Sequence, residues 1–201
     1  MRRLVQLREQ VRTQEPDWHN APVASFGSLD AELLIVGLAP GRGGANRTGR
    51  PFTGDYAGDL LYQTIEKFGL SEGRYGAGPD DGLRLRNCRI TNAVRCLPPE
   101  NKPVGAEIKE CGAYLAEEIG AMGHLRVLLA LGVVAHGAVL TVLGQRKSLF
   151  KFSHGAQHQL PSGLVLADSY HCSRYNTNTR RLTVDMFESV FEGLAGLLPR
   201  S

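Results

Sequence analysis

A glycine-rich segment directly after a short apolar run constrains this chain more than any other feature. The apolar run, 31–36, has the length and composition of a buried strand. The segment that follows, Gly37 to Asp55, combines several glycines with three arginines, one aromatic ring and one carboxylate. Glycines let backbone approach a ligand closely, and arginines match the geometry of phosphate. Because open α/β sheets bind ligands at the carboxyl ends of their strands, this loop is predicted to form a ligand site.

The rest of the chain predicts one α/β domain. Predicted strands at 31–37, 89–96, 125–131 and 164–167 alternate with predicted helices at 57–68, 106–122, 132–143 and 181–198, after a helix at 2–12. This alternation favours a central four-stranded, mostly parallel sheet flanked by helices. No repeat or linker divides the sequence, so residues 1–201 are expected to form a single domain.

Composition sets few limits on function. The net charge of +3 is compatible with a polyanionic partner without requiring one. No apolar run reaches the length of about 18 residues that spans a membrane, and the N-terminus lacks the apolar core of a signal peptide. We therefore expect a cytoplasmic protein without a membrane partner. The four cysteines are widely spaced and are expected to be reduced.

Two nucleotide-binding motifs come close to matching the glycine-rich segment. Gly44 and Gly49 have Walker spacing, but Arg50 and Pro51 stand where lysine and serine or threonine are needed. A dinucleotide fingerprint fails at its third glycine position, which holds Asn46. An unrelated nucleotide-binding α/β enzyme therefore stays an alternative.

Three segments resemble the motifs of the uracil-DNA glycosylase superfamily, most closely its family five, or type B. They are Gly37–Pro40 with Asn46–Arg50 and Phe52–Asp55, then Ile90–Cys96, then Ser169–Ser173 with Asn176–Thr183. The resemblance implies the uracil-DNA glycosylase fold and a monomer that binds DNA containing uracil or other deaminated bases. It implies a monofunctional glycosylase that flips the base, hydrolyses its N-glycosidic bond and so initiates base-excision repair. The alternative is a non-catalytic protein of the same fold, which binds uracil or abasic DNA without turnover.

The resemblance also assigns the residues that would hold the base. Phe52 would stack on a flipped pyrimidine, unless it is an ordinary core residue. Asn92 would read uracil, because its amide offers both a donor and an acceptor to O4 and N3–H; alternatively, it makes a structural backbone bond. Further contacts to the base are expected from the segment of Gly37, Leu38, Ala39 and Gly41.

Two side chains are candidates for the chemistry itself. Breaking the N-glycosidic bond builds positive charge on the sugar and negative charge on the departing base. His171 would donate a hydrogen bond to uracil O2, although a lone histidine is often only a satisfied polar residue. Asp55 would orient the water and offset the sugar charge, or cap the helix predicted from residue 57, or do both.

Residues around these motifs are expected to contact DNA. Arg174 and Tyr175 follow the histidine motif, where the superfamily inserts a wedge into the duplex. The predicted DNA-binding set is Arg42, Asn46, Arg47, Ser173, Arg174, Tyr175 and Arg180, and Arg181 is expected to contact phosphate as well. Any single arginine could instead be a solvated surface charge. Leu38 and Ala39 occupy the place of an acid in more active members, which implies a different water-activation geometry.

The sequence departs from the family at its cysteines and in the histidine motif. Families four and five usually hold a four-iron cluster; Cys96 and Cys111 match its second cysteine pair, but the first pair is missing. Either the cluster is lost or the chain begins downstream of its true start, and we expect no cofactor. A [4Fe-4S] cluster held partly by Cys96 and Cys111 is the alternative. Cys172 replaces a proline and Arg180 a glycine, which leaves the shape of the histidine loop open.

Overall fold

The computed structural model describes residues 2–198, which fold around two sheets. The helices are α1 (Arg2–Gln14), α2 (Ala45–Thr48), α3 (Tyr56–Lys67), α4 (Gly105–Ala121), α5 (Val133–Val142), α6 (Arg174–Asn178) and α7 (Val184–Ala195), with a 3-10 turn at Pro99–Asn101. The strands are β1 (Leu33–Gly37), β2 (Ser71–Glu72), β3 (Arg84–Leu85), β4 (Cys88–Asn92), β5 (Val127–Leu131), β6 (Gln157–Gln159) and β7 (Val165–Ser169).

The main sheet has the strand order β4-β1-β5-β7-β6. Its first four strands are parallel, and β6 pairs antiparallel with β7. The predicted α/β class with a mostly parallel central sheet is confirmed. The predicted strand count of four was wrong, because the polar segment Gln157–Gln159 adds a fifth strand at the edge. The strand predicted at 89–96 ends at Asn92, after which the amides of Ala93 and Val94 donate to the carbonyls of Gly37, the last residue of β1, and Leu38.

Apolar helix faces cover both sides of this sheet. In α7, Phe187, Val190, Phe191 and Leu194 follow the three-and-four spacing of one helix face and are all buried. They pack with α3 on one side, whereas α4 and α5 bury their apolar residues on the other. No helix within residues 2–198 is long and apolar enough to cross a membrane.

The parallel order determines where functional side chains meet. The carboxyl ends of β1, β4, β5 and β7 lie along one edge of the sheet, and the residues that follow them form its loops. The glycine-rich loop leaves β1, and the histidine motif leaves β7. Two motifs separated by more than a hundred residues are therefore neighbours.

Candidate active site

A cavity of about 1000 Å³ opens at this edge of the sheet. Its walls come from the loop after β1, the end of β4, the start of α5 and the loop after β7. Ten of the predicted site residues line it: Leu38, Ala39, Gly41, Arg42, Phe52, Asp55, Asn92, His171, Ser173 and Arg174. The remaining predicted residues, Gly37, Asn46, Arg47, Tyr175 and Arg180, do not line it.

Phe52 forms a wall of the cavity in a strained conformation. Its φ of 52° lies in the left-handed region, which a bulky aromatic residue rarely adopts and which costs about 1–3 kcal/mol. The ring is 6% exposed and stacks on His171, with centroids 5.8 Å apart. Tolerated strain of this kind is concentrated at functional sites. Phe52 also packs in the core cluster on the α3 and α7 side of the sheet, so it is at once a core residue and part of the cavity wall.

Asn92 ends β4 directly opposite Gly37, the last residue of β1. A Cβ on Gly37 would lie 2.4 Å from Asn92 Oδ1 and 2.5 Å from the Phe52 ring, so glycine is what lets the two side chains converge. Asn92 is 6% exposed, yet its amide has no hydrogen-bond partner within the described part of the chain. Buried amides are normally paired, so this one is available to a ligand in the cavity. The alternative role in a structural backbone bond is not observed.

Asp55 caps α3, as one of its two predicted roles requires. Its Oδ1 accepts a hydrogen bond from the Gly58 amide at 3.1 Å. The other oxygen, Oδ2, lies against Gly44, where an added Cβ would be only 2.2 Å away. One carboxylate oxygen therefore fixes the side chain, and the second remains beside the glycine-rich wall of the cavity.

His171 reaches the cavity from the loop after β7. Its Nδ1 is buried without a partner among residues 2–198, and burial lowers the pKa of the imidazole. The ring is therefore neutral at neutral pH. We assign its proton to Nε2, because this tautomer avoids a buried Nδ1–H without an acceptor. The Asn176 amide donates to the His171 carbonyl at 2.8 Å. Cys172 is fully buried, with Sγ 3.4 Å from the Ala57 carbonyl, so the loop accommodates this thiol.

Arg42 and Arg174 line the cavity, and the exposed Tyr175 follows Arg174 in α6. Arg42 is exposed and donates to Gln14 Oε1 at 2.8 Å. The Arg174 guanidinium lies 5.5 Å from the centre of the Tyr56 ring. Tyr175 is 73% exposed, which makes it the most exposed large hydrophobic residue described in the structure. The positions suit contacts to a polyanion that covers the mouth.

Asn46 requires a correction to the predicted DNA-binding set. It is 1% exposed, and its Nδ2 donates to Asn20 Oδ1 at 2.9 Å. Its side chain therefore stabilises the loop from inside rather than facing DNA. Arg47 and Arg180 are exposed, as a phosphate contact requires. Arg180 has a φ of 56°, so this turn keeps the left-handed geometry of the glycine that Arg180 replaces in the resemblance.

Sequence reasoning missed a supporting layer behind the histidine motif. His154 Nδ1 accepts from the Tyr170 amide at 3.1 Å, and the two rings stack at 5.0 Å. The guanidinium of Arg181, predicted only as a phosphate contact, lies over the Tyr170 ring, 4.7 Å from its centre. Arg181 and Phe152 both line the cavity. The segment that holds His154 and Phe152 matches no motif and no periodicity, so the sequence gives no signal for them.

The cysteines do not converge as a four-thiolate site requires. Cys96 and Cys111 pack together with Leu4. Cys88 and Cys172 are both fully buried in the core cluster on the α3 and α7 side of the sheet. The residues present therefore do not fit an iron–sulfur cluster.

Comparison with known proteins agrees with this geometry. A family model described as the uracil DNA glycosylase superfamily matches residues 24–195. A type-5 uracil-DNA glycosylase of Thermus thermophilus is 46% identical over 97% of this chain and 92% of its own length. Another of Pyrobaculum aerophilum is 40% identical over 96% and 85%, respectively. A crystal structure of Pedobacter heparinus SMUG2 has the same fold, with a TM-score of 0.51 at 16% identity over 83% of this chain and 77% of that one. The chain belongs to the uracil-DNA glycosylase superfamily, in its type-5 branch.

Proposed function

We propose that this protein is a monofunctional uracil-DNA glycosylase that initiates base-excision repair. The observation that carries the proposal is the convergence of Phe52, Asn92, Asp55 and His171 around one cavity at the carboxyl edge of the sheet. The names of its type-5 relatives support the same activity. The reaction breaks the bond between C1′ of deoxyribose and N1 of uracil and adds water to C1′.

The base would be recognised after it leaves the duplex. A flipped uracil enters the cavity and stacks on Phe52, and the free amide of Asn92 pairs with its edge. Nδ2 donates to O4, and Oδ1 accepts from N3–H. Cytosine presents a donor at C4 and a bare N3, so both contacts become repulsive and the base is rejected.

The departing base would be stabilised by His171. Negative charge develops on uracil O2 as the C1′–N1 bond breaks. A neutral imidazole can donate Nε2–H to that oxygen without transferring the proton, and the buried, unpaired Nδ1 agrees with this tautomer. Asn176 and His154 act as positioning residues for this ring. Asn176 bonds the His171 carbonyl, and His154 bonds the amide of Tyr170, the residue before it.

Asp55 would position the water and stabilise the positive charge on the sugar. Its capping bond to Gly58 leaves Oδ2 to accept a hydrogen bond from water and to offset the charge of the oxocarbenium-like sugar. Leu38 and Ala39 supply no carboxylate at the turn after β1, so Asp55 is the acid we assign to this step.

Around the cavity, Arg42, Arg47, Arg174 and Arg180 would bind phosphates. These contacts provide affinity without sequence preference and weaken as salt rises. Tyr175, with its exposed ring beside the histidine motif, is the side chain we assign as the wedge. We further propose that the protein acts as a monomer in the cytoplasm, where its DNA substrate lies.

We also propose that this chain works without an iron–sulfur cluster, because its thiols are divided between two sites. The purified protein should be colourless and contain negligible iron and acid-labile sulfide. Stoichiometric iron and sulfide, near four each, would contradict this proposal.

The deciding experiment measures release of free base from oligonucleotides that contain uracil, hypoxanthine or xanthine, in single and double strands. Release of uracil with an intact abasic strand supports the proposal. Binding without release would make the protein a non-catalytic reader of damaged DNA. Magnesium-dependent release of phosphate from a nucleotide would instead identify a nucleotide-binding enzyme.

A further inference from the structure

A second group of chemically active side chains lies behind the cavity wall. His136 of α5, His158 of β6 and Asp168 of β7 place one donor atom each within 4.8 Å of one another. No other group of three histidine, cysteine or acidic side chains within residues 2–198 converges in this way. The three residues come from three elements, so only the tertiary fold assembles them. None of them takes part in the proposed uracil chemistry.

The contacts around this group define its chemistry. His136 Nδ1 lies 2.7 Å from Asp168 Oδ1, and His158 Nε2 lies 3.3 Å from Asp168 Oδ2. The second nitrogen of His136, Nε2, donates a hydrogen bond to the Phe150 carbonyl at 2.8 Å. A carbonyl on the non-ligating nitrogen is the usual outer-shell partner of a metal-bound histidine, because it fixes the tautomer and the ring orientation.

We infer that His136, His158 and Asp168 form a zinc site. Two imidazoles and one carboxylate are ligands that zinc prefers, and bonds of about 2.0–2.2 Å place tetrahedral donors about 3.4 Å apart. The three donor atoms lie within 4.8 Å of one another, so each pair has to approach or separate by less than about 1.5 Å to reach this geometry. Both rings would bind zinc as neutral imidazoles. His136 releases its Nδ1 proton to solvent and keeps the Nε2–H that bonds the Phe150 carbonyl, whereas His158 loses the Nε2 proton to solvent and takes one up from solvent on Nδ1.

Burial makes the site closed on one side and accessible on the other. The side chains of Asp168 and His136 are 0% and 4% exposed, whereas that of His158 is 17% exposed. Zinc would enter past His158 and keep a water molecule as its fourth ligand. Phe152 and Phe150 pack edge-on against the two histidines and provide an apolar surrounding.

The metal would stabilise the wall of the base-binding cavity. Phe152 contacts His136 and lines the cavity, and Asp168 lies three residues before His171 on the same strand and loop. Zinc would therefore tie α5, β6 and β7 together directly beneath the catalytic loop. We assign it a structural role, with no part in bond cleavage.

The test is zinc and cobalt titration of the untagged, chelator-treated protein, with His158→Gln and His124→Ala as the matched pair. The glutamine amide still donates to Asp168 and preserves the fold, but it ligates zinc poorly. His124 is exposed and outside the group. We expect one zinc ion per chain, at least about 100-fold weaker binding in His158→Gln, and no change in His124→Ala. Zinc at 100 times Kd should raise the Tm of the parent protein by about 5–10 °C.

Cobalt identifies the ligands independently of stability. Bound Co²⁺ should show the visible bands of a tetrahedral site without the intense near-ultraviolet band of a thiolate ligand. The inference is overturned if zinc does not bind, if His158→Gln binds it as tightly as the parent, or if the thiolate band appears. The last outcome would place the metal on Cys96 and Cys111 instead.

Discussion

Asp81→Asn should destabilise the protein severely through a buried ion pair that anchors the glycine-rich loop. Arg50 is 5% exposed, and its two terminal nitrogens each donate to one Asp81 oxygen at 2.7 Å. Asparagine removes the compensating charge and turns one donor toward the guanidinium. Breaking a buried pair by removing one partner typically costs about 3–5 kcal/mol.

Two features place the expected loss at the lower end of that range. The guanidinium also lies 5.0, 5.4 and 5.8 Å from the centres of three aromatic rings, those of Phe26, Tyr62 and Tyr75, whose attraction remains in the variant. The asparagine oxygen can still accept from the Gly76 or Leu83 amide, as Asp81 does. We therefore expect about 3 kcal/mol, or a fall in Tm of roughly 6–12 °C for a chain of this size.

Urea and thermal unfolding followed by circular dichroism measure this loss, with Asp80→Asn as the control. Asp80 is exposed, so the same change of charge there should alter stability by less than about 0.5 kcal/mol. If Asp81→Asn lies within about 1 kcal/mol of that control, the ion pair does not stabilise the loop and the reasoning is wrong.

The pH dependence of the same pair has a definite sign. The hydrogen bonds from Arg50 hold the pKa of Asp81 well below its usual range. A carboxyl group whose folded-state pKa is depressed stabilises the fold above its unfolded-state pKa of about 3.9 and loses that contribution as pH falls further. The stability gap between parent and Asp81→Asn should therefore be constant from pH 7 to about 5 and narrow below about 4.

Three further tests concern the active site. Asn92→Asp replaces the donor to uracil O4 with an acceptor, so uracil excision should fall at least about tenfold, with unfolding unchanged; equal activity would remove Asn92 from base recognition. Gly44→Ala places a Cβ 2.2 Å from Asp55 Oδ2, so the carboxylate must move and single-turnover excision should fall at least about tenfold. Gly43→Ala is the control, because its Cβ would have nothing within 4 Å and should leave the rate unchanged. Similar rates for the two variants would argue against a role for Asp55. Tyr175→Ala should slow excision of paired uracil more than of uracil in single strands, whereas Arg174→Ala should slow both equally; equal losses for Tyr175→Ala would make it a backbone contact rather than a wedge.

Local sequence determined the central strands and the position of the site. The continuous apolar runs of β1 and β5 have the length of a buried parallel strand and are flanked by glycine-rich or helical segments. Both were therefore predicted as buried strands. The glycine-rich loop was predicted as a ligand site because it follows a strand, and the resemblance to the uracil-DNA glycosylase superfamily added the histidine motif to it. The structure places Phe52, Asp55, Asn92 and His171 around one cavity.

The edge strand β6, the short helix α6 and the burial of Asn46 could not be predicted from local sequence patterns. Strand β6 consists of polar residues, and only its pairing with β7 satisfies its backbone. Helix α6 has five residues, too few to show a period, and depends on its Ser173 cap. Asn46 was predicted to face DNA because a polar residue in a glycine-rich loop is usually exposed. Its burial depends on a hydrogen bond to Asn20, a partner that the local sequence does not reveal.

What the sequence by itself indicated was the type of chemistry, since its glycines, aromatic ring, amide, carboxylate and imidazole stand in an order that resembles the motifs of the uracil-DNA glycosylase superfamily. Only the tertiary structure decided which atoms of those groups are free. The left-handed backbone of Phe52, the unpaired amide of Asn92 and the pairing of Arg50 with Asp81 depend on contacts across the chain. The same is true of His136, His158 and Asp168, which no spacing in the sequence connects. A pattern along the chain reports which groups are present, whereas burial and partners are properties of the packed fold.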